Sequence, residues 1–153
     1  MTQRLSFQDA PKGLLDGLMK TEFFLKKSGL DLQLQEIIKY RVSQINSCAY
    51  CLDVHHKDAI NLGETQLRLH SLAAWKESPY YSEKERAALS YAEVLTNANH
   101  QEVGDDLFNT LSDLFSKPEI TELTIAITQI NSWNRINKAF RTTPGNYKAG
   151  QYN

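Results

Sequence analysis

Apolar positions along the chain recur at helical spacing, and polar punctuation separates one run from the next. Leu14, Leu15, Leu18 and Leu25 lie between Pro11 and a stop at Gly29, which predicts a first helix over about residues 11–27. Asp31 is placed to cap a second helix over about 32–45, whose stripe holds Leu34, Ile37, Ile38, Arg41, Val42 and Ile45. Glu36 lies roughly 200° from Leu34 at 100° per residue, opposite that stripe, so periodicity alone assigns it to solvent. Asn46 and Ser47 break the pattern. It resumes at Cys48 and runs to Leu62, where Gly63 supplies the usual left-handed stop. Thr65 can cap a short helix through Leu67, Leu69, Leu72 and Ala73, ended by Ser78-Pro79. Ser82-Glu83-Lys84-Glu85 reads as a capping box before a face of Ala88, Tyr91, Ala92 and Leu95. Asp105 is expected to cap a further helix that turns Leu107, Phe108, Leu111, Leu114 and Phe115 inward. Ser116-Lys117-Pro118-Glu119 is a second capping box, and its helix should reach about residue 140. Residues 123–134 carry no charge, which predicts burial at the centre or against another subunit. The β-branched stretch 123–130 is ambiguous by propensity, but the cap and the length of the pattern favour helix. The reading is an all-α bundle of about seven helices.

Composition agrees with few tight turns: 7 Gly and 4 Pro make about 7% of the chain, against about 12% on average. At 153 residues, with no internal repeat or linker, one domain over residues 1–153 is expected. The longest apolar run is the five residues from Cys48, far short of the roughly 20 a membrane helix needs. A net charge of -1 with no basic cluster argues against nucleic acid or an anionic membrane as the main partner. Residues 1–12 mix Arg4, Asp9 and Lys12 without an apolar signal core, so the expected compartment is the cytoplasm.

Chemistry concentrates at Ser47-Cys48-Ala49-Tyr50-Cys51-Leu52-Asp53-Val54-His55. On a helical wheel Cys48, Cys51 and His55 fall at roughly 0°, 300° and 340°, a narrow arc on the same face that carries Leu52, Ala59 and Leu62. A thiol in a helix's first turn has its thiolate stabilised by unpaired N–H groups and the helix dipole. A histidine one turn on can take its proton. The second thiol can then condense with an oxidised first one. Blander readings compete. A structural zinc site needs four ligands, and His55, His56, His70 and His100 are not in finger spacing with the pair. A staple closing so short a loop would contribute only about 2 kcal/mol. Two buried cysteines acting as small hydrophobes remain a third possibility. A thioredoxin-like assignment would need a βαβ context that this pattern lacks.

These residues resemble a known family. Glu36-x11-Cys48-x2-Cys51-x3-His55, within Gln44-Ile45-Asn46-Ser47-Cys48-Ala49-Tyr50-Cys51, is similar to the core of the alkylhydroperoxidase D (AhpD)-like proteins of the carboxymuconolactone decarboxylase superfamily. The likeness continues through Lys57-Asp58-Ala59, Gly63-Glu64, Trp75, Ser82–Leu89 and Asn131-Ser132-Trp133-Asn134-Arg135, and covers about residues 32–144. It implies an all-α AhpD-like fold, a thiol peroxidase acting on hydroperoxides with an external dithiol as reductant, and a homo-oligomer, trimer or hexamer; no cofactor or metal is expected. Carried over by position, Cys51 would be the peroxidatic cysteine, Cys48 the resolving one, and His55 and Glu36 members of a proton relay. Where the best-known branch has a further relay histidine, this chain has Tyr50, whose hydroxyl could hold the same post. On dipole grounds Cys48 is the better thiolate, whereas His55 four residues on favours Cys51; the resemblance decides for Cys51. Alternatives using the same fold are a lactone decarboxylase-type enzyme, which does not need the cysteine pair, and a redox-sensing interaction protein without turnover.

Elsewhere, His56 points about 100° from His55 and is expected at the surface. Trp75 and Trp133 are expected in packing or subunit contacts, Asn134 and Arg135 in satisfying buried polar groups or an interface. Residues 142–153, with Pro144-Gly145 and Gly150, are expected to lie on a neighbour as an arm or to be disordered.

Overall fold

The computed structural model describes residues 2–151. Among them the regular elements are α1 (Asp16–Lys26), α2 (Leu32–Ile45), α3 (Ala49–Asn61), α4 (Gln66–Ser71), α5 (Glu83–Thr96), α6 (Asp105–Leu114) and α7 (Lys117–Phe140), with 3-10 turns at Phe7–Asp9 and Leu72–Ala74. The fold is all-α, as the hydrophobic pattern predicts. None of these helices is long and apolar enough to cross a membrane.

Local chemistry sets most helix starts. The Asp31 carboxylate accepts from Leu34 N–H at 2.8 Å, and Thr65 caps α4 through Arg68 N–H. Reciprocal capping boxes open α5, between Ser82 and Glu85, and α7, between Ser116 and Glu119. Gly63, at φ 95°, ends α3 where the sequence places its stop. Three expectations are corrected. The first helix starts at Asp16 instead of residue 11, because Gly13 turns at φ 85° and leaves Leu14 66% exposed. Gly104, not Asp105, is the N-cap of α6, so Asp105 sits inside the first turn. Phe108 is exposed on that helix, while Leu111 and Phe115 are buried.

Helix α2 is the axis of the bundle, packed against α3, α5 and α7. Leu34, Ile37, Ile38 and Val42 join one apolar core with Leu72, Leu89, Leu123 and Ile127. Its opposite side is covered too, since Gln35, Glu36 and Lys39 are also buried. Gln35 Nε2 donates to the carbonyls of Leu25 and Leu30, which ties the α1–α2 turn to the axis. In α7 the uncharged stretch buries Leu123, Ala126, Ile127 and Ile130 centrally but leaves Ile125 exposed.

Both ends of the chain fold back onto this frame. Arg4 and Leu5 N–H groups donate to Phe140 O, and Phe7 packs edge-on against Trp133 with ring centroids 6.0 Å apart. After α7 the chain reverses through Arg141 at φ 53° and lies along α3. Gly145 N–H donates to Asp53, Lys57 Nζ to the carbonyls of Gly145 and Tyr147, and the buried Tyr147 hydroxyl and Gly150 N–H to Asp58. The arm over 142–151, expected to be disordered or to lie on a neighbour, packs on α3 of its own chain. Residues 152 and 153 of that predicted segment lie outside the described residues.

Candidate active site

The α2–α3 turn positions the cysteines. Ser47 adopts φ 53°, and Cys48 N–H returns to Ser43 O at 3.0 Å. The turn is pinned to α7 from three directions: Asn46 Nδ2 donates to Asn131 and Asn134, each at 2.9 Å, and Lys138 Nζ donates to Asn46 O at 2.7 Å. Asn134, fully buried, also donates to Ser43 Oγ, so its expected role of satisfying buried polar groups holds. Arg135 stays exposed and bonds back to Asn131.

Cys48 is the N-cap of α3, so the helix begins at Ala49, one residue after the start that the hydrophobic pattern predicts. Its sulfur accepts from Cys51 N–H at 3.4 Å. Both cysteines are buried, with Cα atoms 5.3 Å apart and sulfurs at disulfide distance. Their environments differ. Cys51 lines a cavity of about 450 Å³, and Cys48 is not among its lining residues. The cavity has an apolar wall of Phe7, Leu15, Met19, Val54 and Trp133. Its polar groups come mostly from the helices, Glu22 and Lys26 on α1, Glu36 on α2, Tyr50, His55 and Asp58 on α3 and Asn137 on α7, with Gln8 and Gln151 from the two chain ends. Trp133, expected only in packing or subunit contacts, is a cavity wall as well as a packing partner of Phe7. Trp75 packs as expected, buried with its indole N–H on Glu93, and half-buried His56 pairs with Gln66 on the far side of α3.

Glu36 contradicts the periodicity reading. Its side chain is 9% exposed, and Oε2 meets His55 Nδ1 at 2.7 Å. The physical reason is the cover on both sides of α2, which a single-face stripe does not anticipate. Burial pushes the Glu36 carboxyl pKa upward, but the Lys39 charge and then His55 outweigh it and hold the pKa at about 2. Ionised Glu36 accepts, so His55 Nδ1 carries the hydrogen and Nε2 is left as the basic nitrogen. Lys39 Nζ reaches Glu36 Oε1 at 3.2 Å and Glu22 Oε1 at 2.6 Å. Burial disfavours the ammonium, yet the two carboxylates raise its pKa above the ordinary lysine value. Sequence reasoning missed both Lys39 and Glu22. Lys39 follows Glu36 by three residues and so shares its side of the helix, a legible signal; Glu22 lies on another helix and offered none.

The arrangement joins a sulfur at a helix start, a carboxylate-held imidazole and a sheltered, largely apolar space. Such a site can ionise a thiol and move a proton to a leaving oxygen. Among the described residues no group of three or more His, Cys, Asp or Glu side chains is disposed to hold a metal ion.

Comparison with known proteins places this geometry in a class. The carboxymuconolactone decarboxylase family profile matches residues 7–94, beginning well ahead of residue 32, where the sequence resemblance begins. The chain belongs to that family, and its fold is AhpD-like. It is 40% identical to the uncharacterised protein YdfG of Bacillus subtilis (strain 168) over 140 residues, 91% of this chain and 95% of the relative. A solved Agrobacterium tumefaciens protein of unknown function, suggested to be an antioxidant defence protein AhpD, superposes with a TM-score of 0.90 at 35% identity. That superposition covers 95% of this chain and all (100%) of the other. The debrominase Bmp8 shares the fold at a TM-score of 0.71 and 19% identity, over 95% of this chain and 92% of its own. The fold thus does not by itself name the reaction.

Proposed function

We propose that the chain is a thiol-dependent peroxidase that reduces hydroperoxides through a Cys51–Cys48 cycle. The reading is carried by one observation: of two sulfurs at disulfide distance, the one on the cavity wall shares that wall with a histidine held by a buried carboxylate. His55 Nε2 takes the Cys51 proton, and the thiolate attacks the terminal peroxide oxygen. The S–O bond forms as the O–O bond breaks, and the leaving alkoxide takes the proton back from His55 to depart as an alcohol. Cys48 then attacks the sulfur of the sulfenic acid. The S–S bond forms, and the displaced hydroxide leaves as water with the Cys48 proton. An external dithiol returns two electrons and two protons and is itself oxidised to a disulfide. Glu36 holds the imidazole throughout. Tyr50 lines the same wall, and its hydroxyl would donate a hydrogen bond to the peroxide in the post that a histidine fills elsewhere in the family.

The same proposal takes the chain to act as a homo-oligomer, trimer or hexamer. Exposed Phe23 and Phe24 on α1, Phe108 on α6 and Ile125 on α7 support it, and sedimentation velocity tests it, a monomer at micromolar concentration being the contrary result. For the chemistry, peroxide consumption with a dithiol is measured for wild type, Cys51→Ser and Cys48→Ser, with sulfenic acid trapped by a dimedone-type probe. Turnover should vanish in both variants, and the trap should label Cys51 in Cys48→Ser. Undiminished turnover in Cys51→Ser would sink the assignment. One disulfide per chain without turnover would mark a redox sensor.

A further inference from the structure

The buried ammonium of Lys39 has no part in the cycle as written, although only 2% of the side chain is exposed. Taking an ammonium out of water is costly, and an apolar side chain of similar length would fill the same space on α2 without that cost. Its partners give the reason for its presence. One oxygen of Glu22 and one of Glu36 converge on Nζ, both carboxylates line the cavity, and Lys39 stands behind them. The remaining oxygen of Glu36 is committed to His55. A single cation therefore sets the orientation of the carboxylate that orients the imidazole.

We propose that Lys39 is a positioning residue of the site: it keeps Glu36 ionised and turned so that Oε2 accepts the Nδ1 hydrogen of His55, while Glu22 completes its ion pair from the cavity side. The kinetic consequence rests on the peroxidase reading; the effect on His55 does not. The titratable groups around Glu36 are Lys39 on its own helix, Glu22 and Lys26 from α1, His55 and Asp58 from α3, and Tyr147 from the C-terminal arm. Of these, the Lys39 charge is the largest single influence that holds the carboxylate charged, and Lys39 also bonds it directly. Without it, Glu36 would face Glu22 in a desolvated space and take up a proton at a much higher pH. A protonated carboxyl donates where the carboxylate accepted. The imidazole hydrogen then moves to Nε2, and Cys51 loses its base.

The test uses a Cys48→Ser background, so that Cys51 is the single thiol, and follows its alkylation by iodoacetamide from pH 5 to 9 alongside the His55 tautomer by nitrogen-15 NMR. With Lys39 present, His55 should carry its hydrogen on Nδ1. Lys39→Met should move the acid limb of the alkylation profile up by about one pH unit or more, about a tenfold loss of rate on that limb, and shift the hydrogen to Nε2. Lys39→Arg, which keeps the charge, should restore both. A folded Lys39→Met protein with an unchanged profile and tautomer would overturn the proposal. Should that variant not fold, carbon-13 titration of the Glu36 carboxyl in the unaltered protein decides: titration above pH 5 overturns the proposal, and a carboxylate ionised throughout supports it. Neither measurement needs peroxide. A protein that shows the Lys39 effect but no turnover would retire the peroxidase reading alone, and one that turns over without the Lys39 effect would retire this inference alone.

Discussion

Helix α2 carries two cations two residues apart, and they lead different lives. Lys39 and Arg41 are separated by roughly 200° around the helix, so they leave it on opposite sides. Arg41 pairs with Glu93 on α5 at 2.6 Å, and the same carboxylate accepts from the Trp75 indole and pairs with Lys76. Arg41 and Glu93 are each 16% exposed, and neither lines the cavity. That cluster ties three segments of the chain together, and its carboxylate is already consumed by structural donors. Lys39, by contrast, is buried and serves two carboxylates that both face the cavity, one of them passing its second oxygen to an imidazole. Burial of a charge does not distinguish the two clusters as much as the next group in the chain of contacts: a tryptophan in one, and in the other an imidazole on the cavity wall that Cys51 shares.

The comparison is open to test from its strongest element downward. Cys51→Ser should abolish peroxide turnover outright in the dithiol-coupled assay. Glu36→Gln keeps the shape of the cavity-side cluster but removes the negative charge that faces His55, and should slow turnover by about 10²–10³-fold, within the range of a lost acid–base group. Glu93→Gln cuts the other cluster and should cost about 1–2 kcal/mol in urea unfolding while leaving turnover within about twofold. Should it cut turnover as deeply as Glu36→Gln, the division between structural and reactive clusters fails. Acid stability sharpens the same contrast. The Glu36 pKa of about 2 in the fold lies below its unfolded value of about 4.3, so its stabilisation is complete above the unfolded value and is lost as pH falls toward 2. Circular dichroism from pH 5 to 2 should therefore show a shallower acid loss of stability, relative to neutral pH, in Glu36→Gln than in the unaltered protein. The smallest effect is expected outside both clusters: Tyr147→Phe removes the hydroxyl bonded to Asp58 and should cost about 1 kcal/mol, with faster hydrogen exchange at the neighbouring Gly150 amide.

Much of the fold is legible in short stretches of sequence because the forces that set it are local. Asp31, Thr65, Ser82 and Ser116 cap because their oxygens reach N–H groups two or three residues on, whatever the rest of the chain does. The failures have local causes too. Gly13 lies inside the helix that the pattern predicts, but its positive φ delays the start, and Gly104 takes the cap expected of Asp105. The arm over 142–151 reads as loose from its Pro and Gly residues, yet Tyr147 is buried because Asp53, Lys57 and Asp58 line up on α3 to receive it. Nothing near residue 147 announces those partners.

The candidate site divides along the same line. Sequence alone was enough to put Cys51 and His55 on one side of a helix start with Cys48 at its cap, because a fixed rotation per residue sets the first two and the break at Asn46-Ser47 sets the third. It could not decide which sulfur faces the cavity, since Cys48 and Cys51 lie within one turn and only the packing of α1, α7 and the N-terminal segment leaves the space beside Cys51. Nor could periodicity bring Glu36 to His55 or Lys39 between Glu36 and Glu22. Those contacts exist because α2 is buried on both sides, and the cost of desolvating charge is met only when helices far apart in sequence bring opposite charges within reach.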